Sequence, residues 1–369
     1  MASHAYLRAF ADVCKGNIDL MCADTIKRHH SSLDSNISLH NVIYVPDRSI
    51  KDKILSFISG HLNRYISFAE NYLKLHHQYY QLIVFDHNSI AGPLVGIAKK
   101  YGLKTITIHH NYEKEYYADN HSAIYKMLFL HHVINCERKA FTISDLNLFL
   151  TEQDRNTFMN VYGRSMGTCS VIGVFEFSDN KVAEIKDSSN NNRIPQLVIT
   201  GSLCTTQGVD GIKYFFEELY PRISYDVRIV IAGRKPTNEV VTLCKTHKNI
   251  FLVPNPENME NIIQNGDIYI CPTRVGGGLK LRVMDGLKLG IPVITHHCSA
   301  RGYDMFEDSP FFKVFSDGNG FESGLNSLLS LYSSGRISKK EVQAKYREYF
   351  TYKSGLQRLS KIVGGLLNE

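Results

Sequence analysis

Between residues 273 and 296 the chain reads TRVGGGLKLRVMDGLKLGIPVITH, which brings three consecutive glycines, Lys280, Arg282 and Asp285 into one short stretch. Bare backbone lets N–H groups approach an anion closely, and a helix N-terminus adds a favourable dipole. Lys280, in the first turn of a helix expected over 279–290, opposes that dipole unless something negative sits there too. Asp285 follows one and a half turns later, where a carboxylate can accept two hydrogen bonds from a sugar diol such as a ribose. A ligand that joins a diphosphate to a sugar would use all of these groups. An unliganded turn accounts for the same residues: glycine-rich strand-to-helix turns occur without ligand, and Lys280 and Arg282 can simply be solvated.

The elements that must position this stretch are strands alternating with helices. DIYICP is a strand ending at Pro272, so the glycine loop lies at the C-terminal edge of a sheet, where open α/β sheets bind ligands. Apolar runs at 17–24, 41–46, 81–87, 104–110 and 146–152 read as strands, with helical spacing between them. The pattern restarts after residue 195 with PQLVITGS, DVRIVIAG, IFLVPN, DIYICP and IPVITH. Continuous apolar strands between helices imply parallel sheets covered on both faces, and two such series imply two doubly wound domains. The break falls in the polar, Asn-rich 185–196. The boundaries expected are 1–180 and 195–345, with 346–369 as a closing helical segment. One irregularity stands at the start: SHAYLRAFADVCKGN reads as a helix with no strand before it, so the chain begins late or its first sheet is reduced.

Composition narrows the class. A chain of 369 residues with 43% hydrophobic and 21% charged residues is globular and long enough for two cores. A net charge of +6 favours anionic partners, a phosphorylated ligand or an anionic membrane surface, without the density of a dedicated nucleic-acid binder. The eight cysteines are scattered with no CxxC, which reads as reduced packing residues in a cytoplasmic protein without a metal site. No apolar run reaches the length of a membrane span and no signal peptide opens the chain. The histidine pairs at 29–30, 76–77, 131–132 and 296–297 read as surface or capping residues, His297 being the exception because it follows a strand. The stretch 51–80 combines an apolar stripe (Ile54, Leu55, Ile58, Leu62, Tyr65, Phe68, Tyr72) with Lys51, Lys53, Arg64 and Lys74. Such a face suits an anionic membrane surface or packing on the chain's own sheet.

The stretch CPTRVGGGLKLRVMDGLKLGIPVITH resembles the donor-binding loop and helix of retaining, nucleotide-sugar-dependent glycosyltransferases of group 1, family 4. ITGSLCTTQGVDGIKYFFEELYP, VIAGRKP and NMENIIQNGDIYICP are similar to the preceding elements of that C-terminal domain, in order. In the first half, TIHHNYEKEYY and ERKAFTISDLNLFLTEQDRNTFMNVYG resemble segments of bacterial members. The resemblance implies the GT-B fold: two Rossmann-like α/β domains facing across a cleft, acceptor-binding first and donor-binding second, with a C-terminal helix crossing back.

Carried over by position, Lys280 would pair with the donor diphosphate alongside backbone amides of Gly277, Gly278 and Leu279. Asp285, where the family usually has Glu, would hold the ribose. Gly201 and Ser202 would face the diphosphate, Arg234 would flank the nucleobase, and Arg274 and Arg282 would compensate for basic residues missing after the first strand of that domain. His110 would contact the transferred sugar and share catalysis with Lys280, with Glu113 supporting its loop. Many members carry a carboxylate eight positions before the ribose-binding acid, and here that position is Gly277.

The implied activity is hexosyl transfer, with retention, from a nucleotide-diphosphate sugar, a UDP-sugar first among them. The implied acceptor is a glycan or polyprenyl-linked glycan of bacterial surface polysaccharide. The resemblance implies no cofactor, no obligatory metal and no nucleic-acid partner, at the cytoplasmic face of the membrane. Two other readings fit: a non-catalytic GT-B subunit that activates a partner transferase, and a GT-B nucleotide-sugar epimerase.

Overall fold

The computed structural model describes residues 2–23, 37–46, 66–179 and 193–367. They form two compact units, one of 1–179 with 350–369 and the other of 180–349.

The first unit runs α1 (Ala2–Val13), β1 (Asp19–Ala23), β2 (Asn41–Val45), α2 (Ile66–His76), β3 (Leu82–Phe85), α3 (Asn88–Lys100), β4 (Lys104–His109), α4 (Glu113–Asn120), α5 (Ala123–Ile143), β5 (Leu146–Phe149), α6 (Glu152–Tyr162) and β6 (Thr168–Val171). β1 pairs with β2, and β3, β4, β5 and β6 pair in that order, all parallel. β5 is buried at every position, as a strand covered by helices on both faces must be. Its neighbour β6, TCSV, is exposed or half-buried throughout, and its lack of an apolar run is why it was not expected. α6 shows its boundaries locally: the Thr151 side chain accepts from the Asp154 N–H, and Gly163 closes the helix at φ 79°. α2 buries Ile66, Ala69 and Leu73 in a core with Leu94, Val95 and Phe85, and Tyr72 bonds Tyr80 at 2.9 Å. These buried positions are not those of the 51–80 stripe, whose described members Phe68 and Tyr72 are half-buried and stack on each other at 6.5 Å; residues 51–65, with the rest of the stripe, lie outside the described residues.

The second unit runs β7 (Gln196–Ser202), α7 (Thr206–Tyr214), β8 (Arg228–Arg234), α8 (Asn238–Lys245), β9 (Ile250–Pro254), α9 (Met259–Gln264), β10 (Ile268–Cys271), α10 (Arg282–Lys288), β11 (Val293–His296), β12 (Phe312–Phe315), α11 (Gly318–Ser333) and α12 (Lys339–Phe350). One parallel sheet has the order β12-β11-β10-β7-β8-β9, a doubly wound topology whose direction reverses between β7 and β10. β12 was not expected either: its FKVF is only four residues long and Lys313 interrupts the apolar run. A last helix, α13 (Tyr352–Leu367), belongs to the first unit, where the Arg358 Nε donates to the Ile172 carbonyl at 3.0 Å and Tyr352 bonds Asp12.

The helix expected over 279–290 is shorter than its apolar spacing implies, beginning only at Arg282. Gly276 and Gly278 sit at φ 89° and 73°, so the segment before it is a loop, and Lys280 stands in that loop rather than in a helical turn.

Candidate active site

Two strand-edge clusters carry the residues singled out above, one in each unit.

In the second unit the carboxyl ends of β7 and β10 meet where the strand order reverses. Gly201 pairs in register with Gly233, and a Cβ on Gly233 would stand 2.0 Å from the Gly201 carbonyl, so the two strands need bare backbone there. A Cβ on Gly201 would lie 2.4 Å from a guanidinium nitrogen of Arg282: that side chain lies over the naked strand end. Ser202 Oγ is 3.4 Å from the Cys204 thiol, and the exposed Arg234 lies opposite Ser202 in register at the end of β8. The Thr205 side chain caps α7 by accepting from the Gly208 N–H.

The glycine loop closes on itself. Lys280 Nζ donates to the carbonyls of Gly276 at 2.9 Å and Gly277 at 2.8 Å. The Tyr303 hydroxyl donates to the Lys280 carbonyl at 2.9 Å, and Ser299 Oγ to the Thr273 carbonyl at 2.7 Å, so the 296–303 turn braces the loop from behind. Among the described residues no hydrogen bond engages the main-chain N–H groups of Gly277, Gly278 and Leu279. Gly278 is buried, and a buried donor left unmatched normally finds a partner. Burial pushes the Lys280 pKa below its ordinary value, and the charges of Arg301 and Arg282 push it the same way. Three cations crowded at one sheet edge, beside unmatched N–H groups, form a site whose electrostatics improve when an anion enters. Asp285 is exposed in the first turn of α10.

Arg274 is placed differently from the others. Its guanidinium donates twice to Asp210, at 3.1 Å each, and lies 4.6 Å over the Tyr214 ring. Its fork is already filled, so the basic charge that crowds Lys280 comes from Arg282 and Arg301 instead. Sequence reasoning named Arg282 but missed Arg301 entirely, since nothing near position 301 marks it. The reading of His296 as a surface residue is corrected: it ends β11 at 5% exposure, edge-on to Tyr214 and Phe315. Burial and the neighbouring His297 lower its pKa to about 4, so it is neutral near pH 7.

In the first unit His110 follows β4, and its Nε2 lies 2.8 Å from Asp86 Oδ1, just past the end of β3. Tyr6 and His87 flank the His110 ring at 6.1 Å each. His87 caps α3 through Nδ1 and places Nε2 3.2 Å from Glu113 Oε1. Glu113 is buried, and its N–H donates at 2.7 Å to Glu137, which also accepts from Tyr162 at 2.7 Å and Asn88 at 3.2 Å. Burial raises the Glu137 pKa to about 7 in spite of those hydrogen bonds. His109, one residue before His110, points the other way: it is buried, stacked on Phe149 at 4.8 Å, and bonded to Asn147 at 2.8 Å. Its pKa falls to about 3, which leaves it neutral and structural. Asp86 was legible as an acid at a strand end in QLIVFDH; Glu137, inside a helix, was not.

Residues 194–320 match the family model described as "Glycosyl transferases group 1". No curated protein sequence matches the chain. Among solved structures, a glycosyltransferase from Rickettsia africae is similar over 100% of this chain and 95% of its own, at 11% identity and a TM-score of 0.68. WaaG, a glycosyltransferase involved in lipopolysaccharide biosynthesis, is similar over 99% and 96%, at 14% identity and a TM-score of 0.61. Anabaena Alr3699/HepE, solved in complex with UDP, is similar over 94% and 92%, at 10% identity and a TM-score of 0.63. At such identities these likenesses establish the fold, which is GT-B.

Proposed function

Because residues 194–320 match the model of the group 1 glycosyltransferases, we propose that this chain moves a hexose from a nucleotide-diphosphate sugar to a glycan or lipid-linked acceptor, with retention of configuration. The observation that carries the proposal is the anion site at the edge of β7 and β10. Cleaving a sugar from a nucleoside diphosphate develops negative charge on the leaving phosphate, and pre-placed cations and N–H donors lower that barrier most. Lys280, Arg282, Arg301 and the amides of Gly277, Gly278 and Leu279 are arranged for that task. Asp285 is assigned to the ribose, Gly201 and Ser202 to the diphosphate turn and Arg234 to the base. UDP is the first nucleotide to test, because the Anabaena neighbour was solved with it. His110, oriented by Asp86, is assigned to the transferred sugar, with Glu113 behind it.

A lipid-linked acceptor is supported by α5, where Ile124, Met127 and Leu128 stand 70%, 77% and 45% exposed at helical spacing. An exposed apolar face of this kind suits a lipid surface. No helix among the described residues is long and apolar enough to cross a membrane. The proposed setting is surface polysaccharide synthesis at the cytoplasmic face of the membrane.

The test is thermal stability with UDP, GDP, ADP and CMP, with and without their sugars, on wild type and Lys280→Ala. A nucleotide at about 100 times its Kd adds about 2.7 kcal/mol of stability. Removing Lys280 deletes charged hydrogen bonds of about 1.5–3 kcal/mol, so affinity should fall roughly 10- to 100-fold. A well-folded protein that no nucleotide stabilises would refute the transferase reading and leave a GT-B subunit that serves a partner enzyme. Scrambling of the donor sugar without acceptor would identify an epimerase instead.

A further inference from the structure

At the carboxyl end of β11 three consecutive residues offer metal-ligand atoms that face one another. His296, His297 and Cys298 each present one such atom, all within 4.8 Å of each other. His297 Nε2 and Cys298 Sγ are 3.4 Å apart, about the spacing of two ligands on one tetrahedral zinc with bonds near 2.0–2.3 Å. His296 Nδ1 accepts a long 3.3 Å contact from the Cys298 N–H, so its lone pair faces the cluster and the bond it would give up is weak. The rest of that ring is fixed by Tyr214, Phe315 and the main chain of Ser316. A ligating imidazole held at its far side by backbone is the usual supporting arrangement at a metal centre. The charge of Arg274 acts on His296 and opposes a second positive charge, and its two hydrogen bonds to Asp210 offset that charge.

We propose that His296, His297 and Cys298 form a binding site for a borderline-soft divalent cation, Zn2+ in the first instance, with its fourth position open. Two imidazoles and a thiolate select zinc over the hard cations that prefer oxygen. On binding, the metal takes the lone pairs of both imidazoles, the Cys298 thiol releases its proton to solvent, and the long Cys298 N–H contact is given up. The exposed His297 and half-buried Cys298 leave the fourth position to water or to a ligand atom. The site lies outside the donor residues assigned above but in the same brace: Ser299 holds Thr273 and Tyr303 holds Lys280. A metal here therefore stiffens the turn behind the glycine loop without touching the diphosphate.

The test is titration of the full chain, reduced and free of nucleotide, with Co2+ followed by absorption and then competed with Zn2+. The expected result is one equivalent bound, with a thiolate-to-cobalt charge-transfer band that Zn2+ abolishes. Cys298→Ser should lose the band, His297→Ala should weaken binding at least tenfold, and Cys204→Ser, at the exposed cysteine elsewhere on this edge, should change neither. His297 is exposed, so its alanine variant keeps the test valid should the Cys298 change disturb folding. Absence of stoichiometric cobalt, or a band that survives Cys298→Ser, overturns the proposal. Neither readout involves nucleotide, so failure here is separate from failure of the transferase reading.

Discussion

Replacing Glu137 by glutamine should invert the usual cost of mutating a buried residue once the pH is high enough. The carboxyl is fully buried on α5 and its pKa rises from 4.5 to about 7, first because burial penalises the charge and then because Glu113 is close. An acid with a raised pKa holds its proton more tightly when folded. Its contribution to stability is complete below about pH 4.5 and is lost as the pH climbs through about 7. With those two values, the loss between about pH 5 and pH 8 comes to about 2–3 kcal/mol. Glutamine keeps an oxygen for the Glu113 N–H and carries no charge, so the variant escapes this loss. Thermal unfolding followed by far-UV circular dichroism at the two pH values gives the answer as a double difference, in which other titrating groups cancel. For a unit of this size about 2–4 °C correspond to 1 kcal/mol, so the Tm of Glu137→Gln relative to wild type should rise by about 5–10 °C from pH 5 to pH 8. A variant whose Tm runs parallel to that of wild type across this range would show that the carboxyl is not held protonated by burial.

Two glycines in one helix should behave oppositely. A Cβ on Gly92 would stand 2.4 Å from the Cys136 carbonyl and 2.5 Å from its Cα, both rigid backbone of α5, so Gly92→Ala should cost about 3 kcal/mol or more. Gly96 has nothing within 4 Å, and Gly96→Ala should stabilise by about 0.5–1 kcal/mol; denaturant unfolding of both variants measures the contrast. In the glycine loop, Gly276→Ala forces a side chain into φ 89° and onto the end of Gln207, at 2.1 Å. The flexible Gln207 can yield, so the apo protein should lose only about 1–2 kcal/mol, while nucleotide affinity measured calorimetrically should fall more than tenfold.

Elements whose signals are local could be read from the residues alone. Apolar runs such as LNLFL and DIYICP became strands because a parallel sheet covered on both faces needs no polar alternation. Three glycines between a strand and an apolar helical stretch marked the loop that carries Lys280, since only bare backbone adopts φ 89° and 73° without strain. Thr168–Val171 carried no such run and Phe312–Phe315 only a short one broken by Lys313, so both surfaced only through their pairing. Which charges meet is set by the fold. Arg274 and Lys280 stand six positions apart in similar surroundings, yet one is locked to Asp210 and the other is crowded by Arg282 and Arg301. His109 and His110 are neighbours, yet one is sealed between Phe149 and Phe158 while the other meets Asp86. Adjacent residues on a strand end face opposite sides, and the partner that waits on each side comes from 24 to 64 residues away. Charge pairing and burial depend on that distant partner, so they are properties of the folded chain that no local pattern encodes.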